Sequence, residues 1–123
     1  MLVTGGNGGI GLGIARCFAE AGARLAICGR DRDKGAAASA ALQEQGAEAA
    51  IFELDLSDEA AVRGLIAAVA GRFGGLDVVV ANAGAGSRRA GVVAGDNPGA
   101  RLQKVLDPNL NAAYYGGQAR AAG

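Results

Sequence analysis

The chain has 123 residues, half of them hydrophobic, which is room for one domain and excludes an intrinsically disordered protein. Its 12 basic and 12 acidic side chains cancel, so no basic face attracts nucleic acid or an anionic membrane, and we expect neither partner. The chain contains no histidine, which excludes hydrolases with a Ser-His or Cys-His nucleophile and removes the commonest metal ligand, so we expect no metal site.

The chain carries only two cysteines, Cys17 and Cys28, whose spacing fits neither a redox pair nor a zinc knuckle. We expect both to be small buried side chains in a reducing compartment. No basic and apolar leader precedes the first strand, and the apolar run at residues 78–81 is far shorter than the ~20 residues that span a bilayer. These features predict a cytoplasmic protein.

The first half of the chain alternates short apolar segments with segments of helical spacing. A strand at residues 1–3 leads through a glycine-rich loop into a helix from about residue 10 to 21, which Gly22 ends. In this helix, the side chains expected to face the core are Ile10, Ile14, Cys17, Phe18 and Ala21. A second strand, at residues 24–28, precedes a second helix from about residue 32 to 45, closed by Gly46.

The second half repeats this alternation. A strand at residues 49–54 ends at Asp55, and Ser57 is expected to cap a helix with two acidic residues in its first turn. The apolar stripe of that helix consists of Val62, Leu65, Ile66, Val69 and Phe73. The segment at residues 76–81 is the most apolar strand and should be central, and a fourth helix is expected at about residues 97–113.

Strands linked by helices of this length pair in parallel through right-handed crossovers. The sequence therefore predicts an α/β fold with a doubly wound, Rossmann-like parallel sheet in the strand order 3-2-1-4. Four strands make only a partial sheet, and the first is shorter than the ~5 residues usual for a strand.

A glycine-rich loop, residues 4–11, stands between the first strand and the first helix. It contains the pattern G-x-G-x-x-G and also T-G-x-x-x-G-x-G, the latter at Thr4, Gly5, Gly9 and Gly11. Backbone amides at the start of a helix can hold a pyrophosphate, so the loop predicts a dinucleotide site. The alternative interpretation is a merely flexible turn. A P-loop is excluded because no Gly-Lys-Ser/Thr ends the segment.

Three further motifs follow in order: Asp55-Leu56 after the third strand, residues 81–84 (Ala-Asn-Ala-Gly) after the fourth, and Asn109-Leu110 in the fourth helix. With the glycine loop they make the chain resemble the short-chain dehydrogenase/reductase family over essentially all of its length. This resemblance implies hydride transfer between a nicotinamide and a carbonyl or alcohol. It also implies that residues 1–123 form a single dinucleotide-binding domain, incomplete at both ends relative to the family.

The resemblance implies that the cofactor contacts the glycine loop and the ends of the second, third and fourth strands. The implied residues are Gly5, Asn7, Gly8, Gly9, Ile10, Gly11, Arg30, Asp55, Leu56, Asn82, Ala83 and Gly84. In that family Asp55 would bond the adenine amino group with Leu56 beside it, and Asn82 would brace the sheet. From the residues alone, a helix-capping carboxylate remains the alternative for Asp55.

The residue that closes the second strand bears on the choice of cofactor. A carboxylate there accepts ribose hydroxyls and repels a 2′-phosphate, which an arginine would hold. This chain has Gly29-Arg30, although Asp31 follows, so NADP(H) is favoured over NAD(H). A solvated, mixed-charge helix start at residues 30–34 is the alternative and is compatible with either cofactor.

The family's catalytic tyrosine and lysine have no counterpart here, because Tyr114 is followed four residues later by Gln118 and Tyr115 by Ala119. Of the family's catalytic residues only Asn109 is matched, for which a polar residue on a packed helix is the alternative. We therefore expect this chain to be the cofactor half of a truncated oxidoreductase and inactive by itself. The other hypothesis is a non-catalytic dinucleotide-binding half-domain. The resemblance implies a small carbonyl or alcohol substrate and a homo-oligomer.

Overall fold

The computed structural model describes residues 1–84 of the chain. Within them strands and helices alternate as predicted. The elements are β1 (Leu2–Thr4), α1 (Gly9–Glu20), β2 (Leu25–Gly29), α2 (Arg32–Glu44), β3 (Ala49–Glu53), α3 (Glu59–Phe73) and β4 (Val79–Val80). The predicted fourth helix, with Asn109, lies outside the described residues.

The strands form one parallel sheet in the order β3-β2-β1-β4, which confirms the predicted fold class and strand order. In the register of this sheet, Leu2 of β1 lies opposite Ala26 of β2 on one side and Val79 of β4 on the other. Ala26 in turn lies opposite Ala50 of β3. Parallel pairing brings the carboxyl ends of all strands to the same edge of the sheet.

Successive strand residues point to opposite sides of the sheet, so each strand contributes side chains to two faces. Helices cover both of these faces. On one face, Leu2, Ala26 and Cys28 pack against the buried stripe of α3. On the other face, Val3, Leu25 and Ile27 pack against α1 and α2. The predicted stripe of α3 is confirmed, since Val62, Leu65, Ile66, Val69 and Phe73 are all buried.

The predicted core face of α1 is wrong. The buried residues are Gly11, Ala15 and Ala19, whereas Ile10 is 79% exposed and Phe18 38% exposed. Of the other predicted core residues, Ile14 is half-buried, and Cys17 and Ala21 are exposed. The reason is a close approach: a Cβ atom on Gly11 would collide with the Gly5 carbonyl oxygen. Only the face of small residues allows that approach, so the larger apolar side chains are turned outward.

The two cysteines therefore differ. Cys28 lies in β2 and is fully buried, and this burial raises the pKa of its thiol to about 11. Cys17 is exposed on the outer side of α1, so the prediction that both cysteines are buried is wrong for Cys17. No helix within residues 1–84 has both the length and the apolar character that a membrane span requires.

The cap of α3 also differs from the prediction. Asp58, not Ser57, is the N-cap, and its Oδ1 accepts hydrogen bonds from the amides of Ala60 (2.9 Å) and Ala61 (3.4 Å). The Ser57 hydroxyl is already donated to Asp55 and is therefore engaged elsewhere. The predicted glycine stops hold, since each glycine that follows a helix has a left-handed backbone. These are Gly22 (φ +83°), Gly46 (φ +85°) and Gly74 (φ +76°).

The strand β4 is shorter and less buried than the segment at residues 76–81 was predicted to be. Val79 and Val80 are half-buried, and Val78 is 43% exposed. Among the described residues β4 lies at the edge of the sheet rather than in its centre, because it pairs there on one side only, with β1. The two inner strands of the described sheet are β1 and β2.

Candidate functional site

The carboxyl ends of the parallel strands open into a cleft of about 970 Å³. The chain runs from β1 outward to β3 and then returns to the other side of β1 as β4, so the direction of winding reverses at β1. Such a reversal leaves a crevice between the loops that follow the strands on its two sides, which is where ligands bind in open α/β sheets. The topology therefore makes the loops after β1 and β4 the candidate ligand site.

Every cofactor residue predicted from the sequence lies in the wall of this cleft. They are Gly5, Asn7, Gly8, Gly9, Ile10, Gly11, Arg30, Asp55, Leu56, Asn82, Ala83 and Gly84. Their contact with a dinucleotide stays a prediction, and Asn109 lies outside the described residues. The cleft is also lined by Asp31, Lys34 and Leu54, which the sequence did not place among the cofactor residues, and by Gly29, which the sequence placed at the end of β2. Gly29, Asp31 and Leu54 each adjoin an assigned residue in sequence, but nothing in the sequence places Lys34 at the cleft.

The glycine loop requires glycine for two physical reasons. Gly5 and Gly9 have left-handed backbones, with φ of +67° and +52°, which side chains other than glycine adopt only with strain. At Gly11 the limit is space, because a Cβ atom there would lie 2.5 Å from Asn82 Nδ2 in addition to its collision with the Gly5 carbonyl. The absence of a side chain at Gly11 therefore lets the start of α1 pack closely against the loop after β4.

The amino end of α1 differs from those of α2 and α3. Its N-cap, Gly8, provides no side-chain hydrogen bond, and no acidic residue stands in its first turn. By contrast, α2 is capped by Asp31 and α3 by Asp58. A Cβ atom on Gly8 or Gly9 would meet no atom within 4 Å, so the backbone is open on the side of the cleft. The first amides of α1, with the positive end of its dipole, are thus left for an anionic ligand.

Thr4 joins the end of β1 to the loop after β4. Its Oγ1 accepts hydrogen bonds from the amides of Asn82 and Ala83, both at 3.0 Å, and donates one to the Val80 carbonyl at 3.3 Å. The Asn82 side chain donates from Nδ2 to the Thr4 carbonyl at 3.1 Å. These bonds hold one wall of the cleft against the glycine loop. The sequence showed Thr4 only as part of a loop motif, since its partners lie almost 80 residues away.

Asp55 lies after β3 and is held by Ser57. Its Oδ1 accepts hydrogen bonds from the Ser57 hydroxyl (2.6 Å) and the Ser57 amide (3.0 Å). These bonds, with a smaller contribution from the positive charge of Arg30, lower the pKa of the Asp55 carboxyl. Because Asp58 caps α3, Asp55 closes the turn before that helix rather than capping it.

The loop after β2 and the first turn of α2 bring three charged side chains to the cleft, those of Arg30, Asp31 and Lys34. The Asp31 carboxylate accepts a 3.0 Å hydrogen bond from the Lys34 amide as the cap of α2. One oxygen of the Asp31 carboxylate is therefore engaged with its own helix, and the side chains of Arg30 and Lys34 are exposed beside it. This end of the cleft can attract a phosphate group.

Within residues 1–84 the lining of the cleft combines glycine backbone with a few charged side chains. No tyrosine, histidine or serine lines it among these residues, and they contain no cluster of three His, Cys, Asp or Glu side chains that could hold a metal ion. The groups that a ligand could contact there are the backbone amides of the glycine loop at the start of α1, the Asp55 carboxylate after β3, and the cations Arg30 and Lys34 after β2.

Comparison with known sequences points to one family. The family model described as short chain dehydrogenase matches residues 1–122. A 3beta-hydroxysteroid dehydrogenase of Mediterraneibacter gnavus is 36% identical over 120 residues, which cover 94% of this chain and 41% of that protein. An L-fucose dehydrogenase of Bos taurus is 42% identical over 85 residues, which cover 68% of this chain and 30% of that protein. The chain thus spans less than half the length of these relatives.

Solved structures give the same picture. A metagenomic short-chain oxidoreductase in complex with NADP matches with a TM-score of 0.87 at 32% identity, covering 98% of this chain and 53% of that one. A 3-oxoacyl-(acyl-carrier protein) reductase from Brucella melitensis in complex with NAD matches with a TM-score of 0.84 at 37% identity, covering 98% and 47% of the respective chains.

Proposed function

This chain belongs to the short chain dehydrogenase family, and we propose that it is the cofactor-binding part of an oxidoreductase that transfers hydride between a nicotinamide dinucleotide and a small carbonyl or alcohol. The observation that carries this proposal is the amino end of α1, which has no side-chain cap and opens into the cleft after β1. A helix start of this kind binds a pyrophosphate. The bound nicotinamide would supply or accept the hydride.

The other residues of the cleft have roles in this proposal along the length of the dinucleotide. Asp55, with its Oδ1 held by Ser57, would accept a hydrogen bond from the adenine amino group, and Leu56 would lie beside the ring. The residues at 82–84 would line the nicotinamide side, where Thr4 holds the amides of Asn82 and Ala83. Asn109 is the proposed support of a proton relay, as in the resembling family.

We propose further that NADP(H) is favoured over NAD(H). The strand-end residue Gly29 has no carboxylate that would accept ribose hydroxyls or repel a 2′-phosphate. Arg30 and Lys34 line the cleft beside it, and the carboxylate of Asp31 is engaged as a helix cap. Among the solved relatives one holds NADP and another NAD, so the preference rests on these side chains and not on the family.

A second candidate function is a dinucleotide-binding half-domain without catalysis. It is supported by the sequence, in which no tyrosine is followed four residues later by lysine. The two candidates make the same binding prediction and differ in turnover. The first proposal also includes that the oxidoreductase is a homo-oligomer and lies in the cytoplasm.

The binding proposal can be tested with one pair of variants. Gly8→Asp places a carboxylate at the N-cap of α1, where it would cap the helix and occupy the amides proposed for the pyrophosphate. Gly13→Asp makes the same change on an exposed position of α1 outside the cleft. In fluorescence titrations with NADPH, we expect Gly8→Asp to weaken binding at least about tenfold and Gly13→Asp to leave it unchanged. Equal affinity of both variants and the parent would refute the proposed site.

A further inference from the structure

We propose that Asn7 is a specificity-determining residue of the cleft, because its amide lies over Gly29 and occupies the space that a side chain at the end of β2 would take. The proposal rests on the function proposed above, since it concerns which dinucleotide the cleft accepts. Cofactor preference would then depend on two positions, residue 7 in the glycine loop and residue 29 at the end of β2.

The geometry that carries this inference is the contact between Asn7 and Gly29. A Cβ atom added to Gly29 would lie 2.6 Å from Asn7 Cγ and 2.9 Å from Asn7 Oδ1, and closer still to Nδ2. Atoms that are not bonded do not approach so closely. Turning the amide about its own Cβ–Cγ bond does not relieve the overlap, because Cγ lies on that axis. A side chain at position 29 therefore requires the whole Asn7 side chain to swing away.

The place of this contact makes it relevant to the cofactor. Asn7 and Gly29 both line the cleft, next to Arg30. Position 29 is the end of β2, where a carboxylate would favour ribose hydroxyls and disfavour a 2′-phosphate. In this chain the position is covered by a neutral amide instead. Within residues 1–84 that amide has no hydrogen-bond partner, so its N–H groups are left for a ligand in the cleft.

The two positions should therefore act as one unit. An aspartate at position 29 cannot take the conformation that suits a ribose while Asn7 keeps its present one. Removing the Asn7 side chain beyond Cβ creates the space that this aspartate needs. Cofactor preference should follow the pair of residues and not the strand-end residue alone, which is the behaviour of directly contacting side chains in a double-mutant cycle.

The test compares the parent chain with G29D, N7A and the double variant N7A/G29D. For each, the dissociation constants of NADPH and NADH are measured by fluorescence titration. We expect G29D to weaken both dinucleotides, and N7A/G29D to shift the NADPH-to-NADH preference toward NADH by about tenfold relative to G29D. An equal preference in G29D and N7A/G29D, with the parent binding NADPH, would overturn this inference while leaving the proposed function intact. A parent that binds neither dinucleotide would overturn both.

A second measurement keeps the inference testable where G29D fails to fold. G29A adds only the Cβ atom and no charge. We expect G29A to lower the melting temperature and N7A/G29A to recover at least half of that loss, because the colliding amide is gone. A loss that is the same in G29A and N7A/G29A would show that Asn7 does not restrict position 29, and would overturn the inference.

Discussion

The hydroxyl of Ser57 donates a 2.6 Å hydrogen bond to Oδ1 of Asp55, and the amide of Ser57 donates a second one, of 3.0 Å, to the same oxygen. Two bonds on one oxygen orient the carboxylate before any ligand binds. Within residues 1–84 the other oxygen, Oδ2, has no such partner, so it is the one left for a ligand. Ser57, which the sequence suggested as a helix cap, thus holds a residue of the cleft.

This pair makes a prediction about acid stability. The pKa of Asp55 is lower in the folded protein than in the unfolded chain, where it is about 3.9. The ionised carboxylate therefore stabilises the fold at pH values above that unfolded pKa. This stabilisation is lost as the pH falls through the lower, folded pKa. In Ser57→Ala the pKa of Asp55 should rise toward its ordinary value. A titration of the side-chain carboxyl signals by NMR measures this, with Asp33 as a control because it lies on α2, away from Ser57. An Asp55 pKa that is the same in Ser57→Ala and the parent would mean that the hydroxyl bond from Ser57 does not form in solution.

The two cysteines should differ sharply in reactivity. Cys17 is exposed, whereas Cys28 is buried in β2 with a pKa raised to about 11. Since the thiolate is the reactive species, a thiol reagent at pH 8 should modify Cys17 rapidly and Cys28 only after denaturation. The measurement is the number of thiols titrated with and without denaturant. Cys17→Ser is the matched control and should show no rapid phase; a rapid phase in that variant would contradict the burial of Cys28.

The open space at Gly8 predicts that a basic side chain introduced there would increase the preference for NADPH over NADH. A side chain there meets no atom within 4 Å, and the residue lines the cleft. Gly8→Arg should therefore be tolerated and add a cation for the 2′-phosphate, which we expect to raise the affinity for NADPH over NADH by about fivefold at low salt. High salt should reduce the gain. Gly13→Arg, outside the cleft, should leave the ratio of the two dissociation constants unchanged. A similar gain in both variants would indicate a non-specific charge effect.

The 123-residue chain by itself should show no turnover. Asn109 is the only residue that matches the family's catalytic set, and an amide cannot donate or accept the proton that carbonyl reduction requires. The measurement is NADPH oxidation at 340 nm with a panel of ketones against a blank without protein. Binding without turnover is the expected result, and turnover above the blank would contradict it.

The chain should also associate with itself. Its exposed large apolar side chains include Ile10, Phe18 and Val78, and we expect Phe18, the aromatic one, to pack against a second copy of the chain. Sedimentation velocity at micromolar concentration should show oligomers or aggregates rather than a single monomeric species. Phe18→Gln should reduce the associated fraction, and Arg16→Gln, on an exposed position of the same helix, should not. A cooperatively folded monomer of the parent chain would contradict this prediction.

Much of the fold within residues 1–84 was determined by the sequence, because its signals are local. Alternating apolar strands and helical segments require parallel pairing, and this led to the order β3-β2-β1-β4. Helix ends followed from glycines that adopt a left-handed backbone, such as Gly46 and Gly74. The position of the cleft followed from the glycine loop and from Asp55, each placed directly after a strand.

The tertiary structure alone decided which surfaces meet. The sequence showed the larger apolar side chains of α1 but not that Gly11 must approach the Gly5 carbonyl, which buries the opposite face. It did not show that the side-chain amide of Asn7 covers Gly29, or that the hydroxyl of Thr4 accepts a hydrogen bond from the backbone amide of Asn82. Periodicity and capping depend on neighbours along the chain, whereas the contacts of Asn7 and Thr4 join residues more than 20 positions apart, and the approach of Gly11 to Gly5 depends on how α1 packs. Their geometry exists only once the strands have paired and the helices have packed against them.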